Sequence, residues 1–379
     1  MRIGLSTSVI GRGKTGIGQY VFALTRALLT REGSHRLVLF VLREDLPLFD
    51  FAEDRVEIVP VSEKFRSAAN DILWHQLRLP GLARKLKLDV LHVPSYRRML
   101  WRRPCPLVAT IHDLAPFCVA EKYDRKRMFY GRVVARRLAQ RQDAIIAISE
   151  NTARDVHQFF HVPHPKITVI HNGIEHGRFS PQPPFDAKLE IAQRHDLPKP
   201  FFLYVARLEH PGKNHVRLIE AFNRFKTQTK SNWQLAFAGT DSHGAEAVHA
   251  AIKQSPHAAD IRALGFVANE ELSTLYRAAD VFVFPSLYEG FGMPPIEAMA
   301  CGCPVISSAR GSLGEVVGDA ASLINPEDVD DMAGKLTSMA GSDVLRKTWR
   351  EAGLAHAKKF DWKKTATQTL AVYERVAKR

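Results

Sequence analysis

The sequence predicts an α/β protein of two doubly wound parallel-sheet domains, and three observations carry that prediction. Thirteen short runs rich in β-branched and apolar residues recur along the chain, with longer helical patterns between them. The runs are continuously apolar rather than alternating, as expected of parallel strands covered on both faces. The series pauses once, at Ser180-Pro181-Gln182-Pro183-Pro184, and then restarts, and 379 residues suit two domains.

Taken in order, the first half offers buried strands at 2–7, 37–42, 56–61, 90–94, 107–112, 144–149 and 167–171. The first leads into Gly11-Arg12-Gly13-Lys14-Thr15-Gly16-Ile17-Gly18, after which Tyr20, Leu24, Ala27 and Leu28 recur at helical spacing, so a glycine loop opens a helix. A further helix is expected from Tyr123 to Arg141. Its apolar positions include Met128, Phe129, Val133 and Leu138 and its charges Arg125, Lys126, Arg132, Arg136 and Arg137, a mixture suited either to an interface or to core packing with a solvated basic face. Past the proline break, strands are expected at 201–206, 233–238, 261–266, 281–284, 304–307 and 321–324. Leu218, Ile219 and Phe222 mark the helix after the first of these, and Pro294-Pro295 introduces another, with Glu297 in its first turn and Ile296, Met299 and Ala300 toward the sheet. Asp328, Asp330 and Asp331 read as a surface helix start. Phe360-Asp361-Trp362 opens a last helix through Leu370 and Tyr373, so the expected domains are 1–179 and 180–359, followed by a terminal helix at 360–379.

Composition narrows the function classes. With 45% hydrophobic and 25% charged residues, the chain is neither disordered nor fibrous. Cys105, Cys118, Cys301 and Cys303 form no disulfide framework and no C-x-x-C pair, which points to a reducing, cytoplasmic setting. Ser6, Thr7 and Ser8 interrupt the first apolar run before a signal-peptide core is reached, and no segment approaches the ~18 apolar residues of a membrane span. The net charge of +13 is concentrated: residues 1–180 hold 29 basic and 17 acidic side chains, and residues 78–141 alone hold 16 and 4. Such a region is either a solvated face or a surface that attracts phosphate, whether of nucleic acid, anionic lipid or substrate.

Three segments carry candidate chemistry. In the glycine loop, Gly16 and its neighbours let backbone amides approach a phosphate at a helix N-terminus. Yet Glu44 and Asp45 come too late for the ribose acid of a dinucleotide site, and Ser8 stands where the first glycine of a Walker A loop belongs, so a plain tight turn also explains it. Arg207 ends the first strand of the second half, and Lys213 opens the next helix. A planar fork and a point charge at one strand's carboxyl end suit a diphosphate, although either alone reads as a surface cation. Finally, 281–308 places Glu289 on a glycine-rich loop and Glu297 on a helix, with Gly290, Phe291 and Gly292 offering amides between them, which suits a polyhydroxylated ligand.

The segment E-G-F-G-M-P-P-I-E, with Glu289 and Glu297 eight positions apart, resembles the signature of the GT4 family of nucleotide-sugar glycosyltransferases. Gly16-Ile17-Gly18, His112-Asp113, His171-Asn172-Gly173 and the Arg207/Lys213 pair resemble further family segments in the same order. The resemblance implies a GT-B fold, two Rossmann-like domains with the donor in the cleft between them, retaining transfer and no metal or other cofactor. It implies that Arg207 and Lys213 hold the donor diphosphate, that Glu297 holds the ribose, and that Glu289 with Phe291, Gly292 and Met293 holds the transferred sugar. Val267 would lie beside the base, Gly16 near the phosphates and His112 by the reacting carbon. The terminal helix would cross back to the first domain.

The GTGIGQY, HDL and PGKNH segments are most similar to bacterial enzymes of surface-polysaccharide synthesis, often mannosyltransferases using GDP-mannose. The implied partners are a nucleotide-sugar donor, a glycan or polyprenyl-diphosphate-linked acceptor and an anionic membrane surface at the inner face of the cytoplasmic membrane, rather than nucleic acid. Two other classes stay open on the residues alone: a P-loop kinase or ATPase resting on Gly13-Lys14-Thr15, and a non-catalytic phosphate- or membrane-surface-binding module resting on 78–141.

Overall fold

In a computed structural model, which describes residues 1–13, 15–30, 35–52, 56–118, 130–182 and 187–378, the chain divides into two compact units. The first comprises Met1–Gly173 with Asp361–Arg379, the second Ile174–Phe360. Lys14, Arg125, Lys126, Met128 and Phe129 lie outside the described residues.

Among the described residues the first unit holds seven strands: β1 (Arg2–Ser6), β2 (Arg36–Leu42), β3 (Val56–Val61), β4 (Val90–Val93), β5 (Leu107–Ile111), β6 (Ala144–Ala147) and β7 (Ile167–Val169). They form one parallel sheet in the order β3-β2-β1-β4-β5-β6-β7. The strands inside the sheet are buried on both sides, as their unbroken apolar runs require, but β3 and β7 are half exposed. Both are edge strands with one uncovered flank, and an edge is also where Pro60 is tolerated, since its missing N–H breaks no ladder.

The helix Gly16–Leu29 packs Tyr20, Val21, Leu24 and Leu28 on one face of this sheet, where Leu370 and Tyr373 of the terminal helix Trp362–Ala377 join the same core. Trp74 of the helix Ala68–Leu77 covers the opposite face with Leu79 and Leu100. A chain of buried polar groups pins the terminal helix to the sheet. His92 Nδ1 lies 2.6 Å from the Tyr373 hydroxyl, His92 Nε2 lies 2.8 Å from Thr110 Oγ1, and Thr110 is 3.1 Å from the Tyr20 hydroxyl. Burial pulls His92 down to about 3, so it is a neutral imidazole with one donor and one acceptor nitrogen. Gly173 is forced by the same helix: a Cβ there would sit 2.1 Å from the Trp362 backbone nitrogen.

The second unit holds β8 (Phe201–Val205), β9 (Gln234–Ala238), β10 (Ile261–Gly265), β11 (Val281–Phe284), β12 (Val305–Ser308) and β13 (Ser322–Ile324), all parallel in the order β10-β9-β8-β11-β12-β13. In both sheets the order reverses beside the first strand, which opens a crevice at the carboxyl ends where α/β proteins bind ligands. The unit begins at Ile174 because Phe179 packs edge-on against Tyr276 and Arg178 donates to the Asn269 carbonyl. Asp328 caps the helix Val329–Gly341, accepting from the amides of Asp330 and Asp331, so these acids are a helix start.

Candidate active site

The loop after β8 carries Arg207 and Lys213, and it is clamped from beneath. The Tyr204 hydroxyl donates to the Lys213 carbonyl at 2.7 Å, and buried His215 places Nδ1 3.3 Å from the Glu209 carbonyl. Burial pulls His215 down to about 4 and raises Tyr204 well above its ordinary value, so the first is neutral and the second a fixed donor. Asn214 takes a left-handed conformation (φ 62°) at the cap of the helix His215–Thr229. Its amide donates to the Pro285 and Pro326 carbonyls at 3.1 and 2.6 Å, joining the loops after β8, β11 and β13. Arg207 itself is exposed, 3.5 Å from the buried Glu209 carboxylate.

Lys213 forms an ion pair with Glu289, and both side chains are largely shielded from solvent. Glu289 also accepts from Ser286 Oγ at 2.7 Å. The glycine-rich loop that bears Glu289 is shaped by Ser312, whose hydroxyl lies 2.9 Å from the carbonyls of both Glu289 and Phe291. Gly292 is required there twice over. Its φ is +99°, and a Cβ would meet Leu313 at 2.4 Å. The Phe291 ring is buried, edge-on to Phe360.

Gly292 caps the helix Met293–Ala300, which makes Met293 its first residue and Pro294-Pro295 the next two. Glu297 therefore falls in the second turn, not the first as the proline pair suggested, because the helix starts one residue ahead of the prolines. A favourable contact with the helix N-terminus no longer explains it. It accepts instead from the Tyr276 hydroxyl at 2.8 Å. Burial pushes its carboxyl up, against the opposing effects of that hydrogen bond and of Arg178. At the end of β10, Gly265 takes φ +69°, and on the loop that follows Phe266 is exposed and the Val267 side chain is buried.

In the first unit, the loop after β1 makes a short 3-10 turn at Ser8–Ile10, and Thr15 caps the helix by accepting from the Gly18 amide at 3.0 Å. Gly18 is packed, since a Cβ would lie 2.6 Å from the Ile10 carbonyl oxygen, whereas none of the described residues comes within 4 Å of one at Gly16. Packing thus explains the glycine at 18 but not at 16, where open space leaves room for a ligand to approach the backbone.

His112 follows β5 and lines a cavity of about 230 Å³ with Ile17, Ser95, Tyr96, Arg97, Asp113 and Pro116. Burial pulls it down to about 4, opposed by a backbone hydrogen bond with Pro94, and its Nε2 has no partner among the described residues. A neutral imidazole with a buried nitrogen to spare is poised to bond a ligand hydroxyl.

The structure thus groups Lys213 with Glu289, sets Arg207 against Glu209 and Glu297 against Tyr276, and carries Gly16 and His112 on the first unit. Sequence reasoning missed Tyr204, His215, Ser286, Ser312 and Tyr276, which pattern as ordinary core; for His215, Ser286 and Ser312 the local signal was closeness to a glycine-bearing loop.

Comparison with known proteins supplies the identity. Residues 187–356 match the family model of group 1 glycosyl transferases and residues 14–178 that of Glycosyltransferase Family 4. The chain is 29% identical to the O-antigen chain mannosyltransferase B of Escherichia coli over 99% of its own length and all of that protein. It is 30% identical to the MMP alpha-(1->4)-mannosyltransferase of Mycolicibacterium hassiacum, with 72% of this chain and 66% of that protein covered. In fold it is similar to the sucrose-phosphate synthase of Thermosynechococcus elongatus (TM-score 0.78, 20% identity, 99% and 98% covered). It is likewise similar to Anabaena HepE solved with UDP and glucose (TM-score 0.76, 20% identity, 99% and 100% covered). The P-loop alternative lapses with these matches, and the chain belongs to the GT4-type glycosyltransferases with the GT-B fold.

Proposed function

We propose that this glycosyltransferase moves mannose from GDP-mannose, with retention of configuration, to a glycan or polyprenyl-diphosphate-linked acceptor in surface-polysaccharide synthesis. The pairing of Lys213 with Glu289 carries the reading, because it ties the loop expected to hold the diphosphate to the loop expected to hold the sugar. Similarity to a mannosyltransferase along its full length supports the choice of sugar.

In this account Arg207 and Lys213 meet the negative charge that grows on the departing diphosphate, the usual place for the largest catalytic contribution. Glu297 holds the ribose, and Glu289 with the Phe291–Met293 turn holds the mannose. His112, kept neutral and with Nε2 free to accept, bonds a sugar hydroxyl. The acceptor hydroxyl attacks the anomeric carbon on the face the diphosphate leaves, and its proton passes to a diphosphate oxygen. No protein nucleophile and no metal takes part. The basic first unit faces an anionic membrane on the cytoplasmic side.

A thermal-shift panel of GDP, UDP, dTDP and ATP, repeated with the corresponding nucleotide sugars, tests the donor. GDP and GDP-mannose should stabilise the protein most. Stabilisation by UDP or dTDP alone would replace the donor, and a response to ATP alone would refute the reading.

A further inference from the structure

The described part of the helix suited either to an interface or to core packing takes the second course: Ala135, Leu138 and Ala139 are buried against Ile145, Val156 and Phe160. Leu138 is therefore core, and the exposed apolar side chains near the basic region lie elsewhere. Leu73 and Leu77 sit one turn apart on the outer face of the helix Ala68–Leu77, 54% and 68% exposed. Gln76, between them, receives the Trp101 amide at 2.9 Å and donates to the Met99 carbonyl, strapping segment 99–101 onto the helix end. Trp101, whose backbone this contact ties to the same helix, is 50% exposed.

Cations accompany these residues. The Arg141 guanidinium lies 4.6 Å from the Trp101 ring centroid and donates to its carbonyl, while Arg78 and Arg102, the next residues after Leu77 and Trp101, and Arg137, one turn before Arg141, are all exposed. No described helix is long and apolar enough to cross a membrane. Exposed leucines and a tryptophan rimmed by arginines match the composition of a surface that sits at a lipid interface, with rings at headgroup depth and guanidinium groups on phosphates.

We propose that this face of the first unit docks on an anionic phospholipid bilayer, with Leu73, Leu77 and Trp101 entering the headgroup region and the surrounding arginines holding lipid phosphates. It gives residues to the membrane partner in the proposed function, but its test needs neither donor nor acceptor, so either can fail alone.

The full-length protein is sedimented with vesicles of phosphatidylcholine alone or with one-third phosphatidylglycerol, at 0.1 and 1 M salt. Native protein should bind the anionic vesicles, and high salt should weaken binding as the screening length falls from about 10 to about 3 Å. Leu73→Ser with Leu77→Ser should lose at least about tenfold in partitioning. Arg102→Gln and Arg137→Gln should each lose roughly fivefold, whereas Val344→Ser, a still more exposed apolar site on the second unit, should change nothing. Trp101 is the exposed member of the five tryptophans, so brominated lipid should quench native emission and not that of Trp101→Phe. Equal binding by native and patch variants, absence of binding to anionic vesicles, or patch variants that alter only self-association in the ultracentrifuge would each overturn the proposal.

Discussion

Removing the charge of Lys213 should affect folding and transfer by different amounts, and the structure gives both magnitudes. Its ammonium pairs with Glu289, with side chains 18% and 17% exposed. Two such charges a few ångströms apart attract by about 4 kcal/mol at an effective dielectric of about 20. Desolvation offsets much of this, and losing one partner of a shielded pair costs about 3–5 kcal/mol where burial is complete. Partial exposure, and the Ser286 hydroxyl left on Glu289, reduce the expected loss for Lys213→Met to about 2 kcal/mol. Adding Glu289→Gln removes the stranded charge, so the double variant should recover part of that loss, with a coupling of about 1–3 kcal/mol in a urea-denaturation cycle. Transfer should not recover with it. If Lys213 stabilises the departing diphosphate, Lys213→Met should lose ~10²–10³ in kcat/KM, and the double variant at least as much. Additive stabilities within about 0.5 kcal/mol would refute the pair; a Lys213→Met enzyme retaining more than a third of native turnover would refute its role.

Three further outcomes are expected. Glu297→Ala should weaken nucleoside-diphosphate binding by about 1.5–3 kcal/mol in calorimetry while leaving a folded protein, the value of a hydrogen bond to a charged group; unchanged affinity removes Glu297 from the ribose site. His92 and His112 are held neutral by burial, at about 3 and about 4, whereas the unfolded chain binds their protons below about 6.5. Stability is therefore fully present above pH 6.5 and is lost as pH falls toward 4, and His92→Gln should flatten that slope in pH-dependent denaturation. EDTA should leave turnover largely intact; abolition by chelator with rescue by Mg²⁺ or Mn²⁺ would contradict the proposed mechanism.

The strands inside the two sheets are readable in the sequence because parallel strands buried on both faces leave continuous apolar runs, and the edge position of β3 is marked by Pro60. The carboxylates at 289 and 297 stand out through their spacing around a glycine turn. The turn that bears Glu297 is misjudged from Pro294-Pro295 alone, since the left-handed Gly292 sets the helix start. The Lys213–Glu289 contact joins residues 76 positions apart, and no local pattern records it. Tyr204 and His215 look like ordinary strand and helix core until their polar atoms are seen beneath the loop. Nor does periodicity reveal which apolar face lacks a partner: Leu138, in a helix suited alike to an interface or to core packing, is buried, while Leu73 and Leu77 are exposed.

The central claim, retaining mannosyl transfer from GDP-mannose, is tested most directly by proton NMR of the product formed from that donor and a polyprenyl-diphosphate-linked glycan. GDP release should depend on acceptor, and the product should carry a new α-configured mannosyl linkage, matching the α-linkage of the donor. A β-linked product, or no sugar transferred while other nucleotide sugars are turned over, would contradict it.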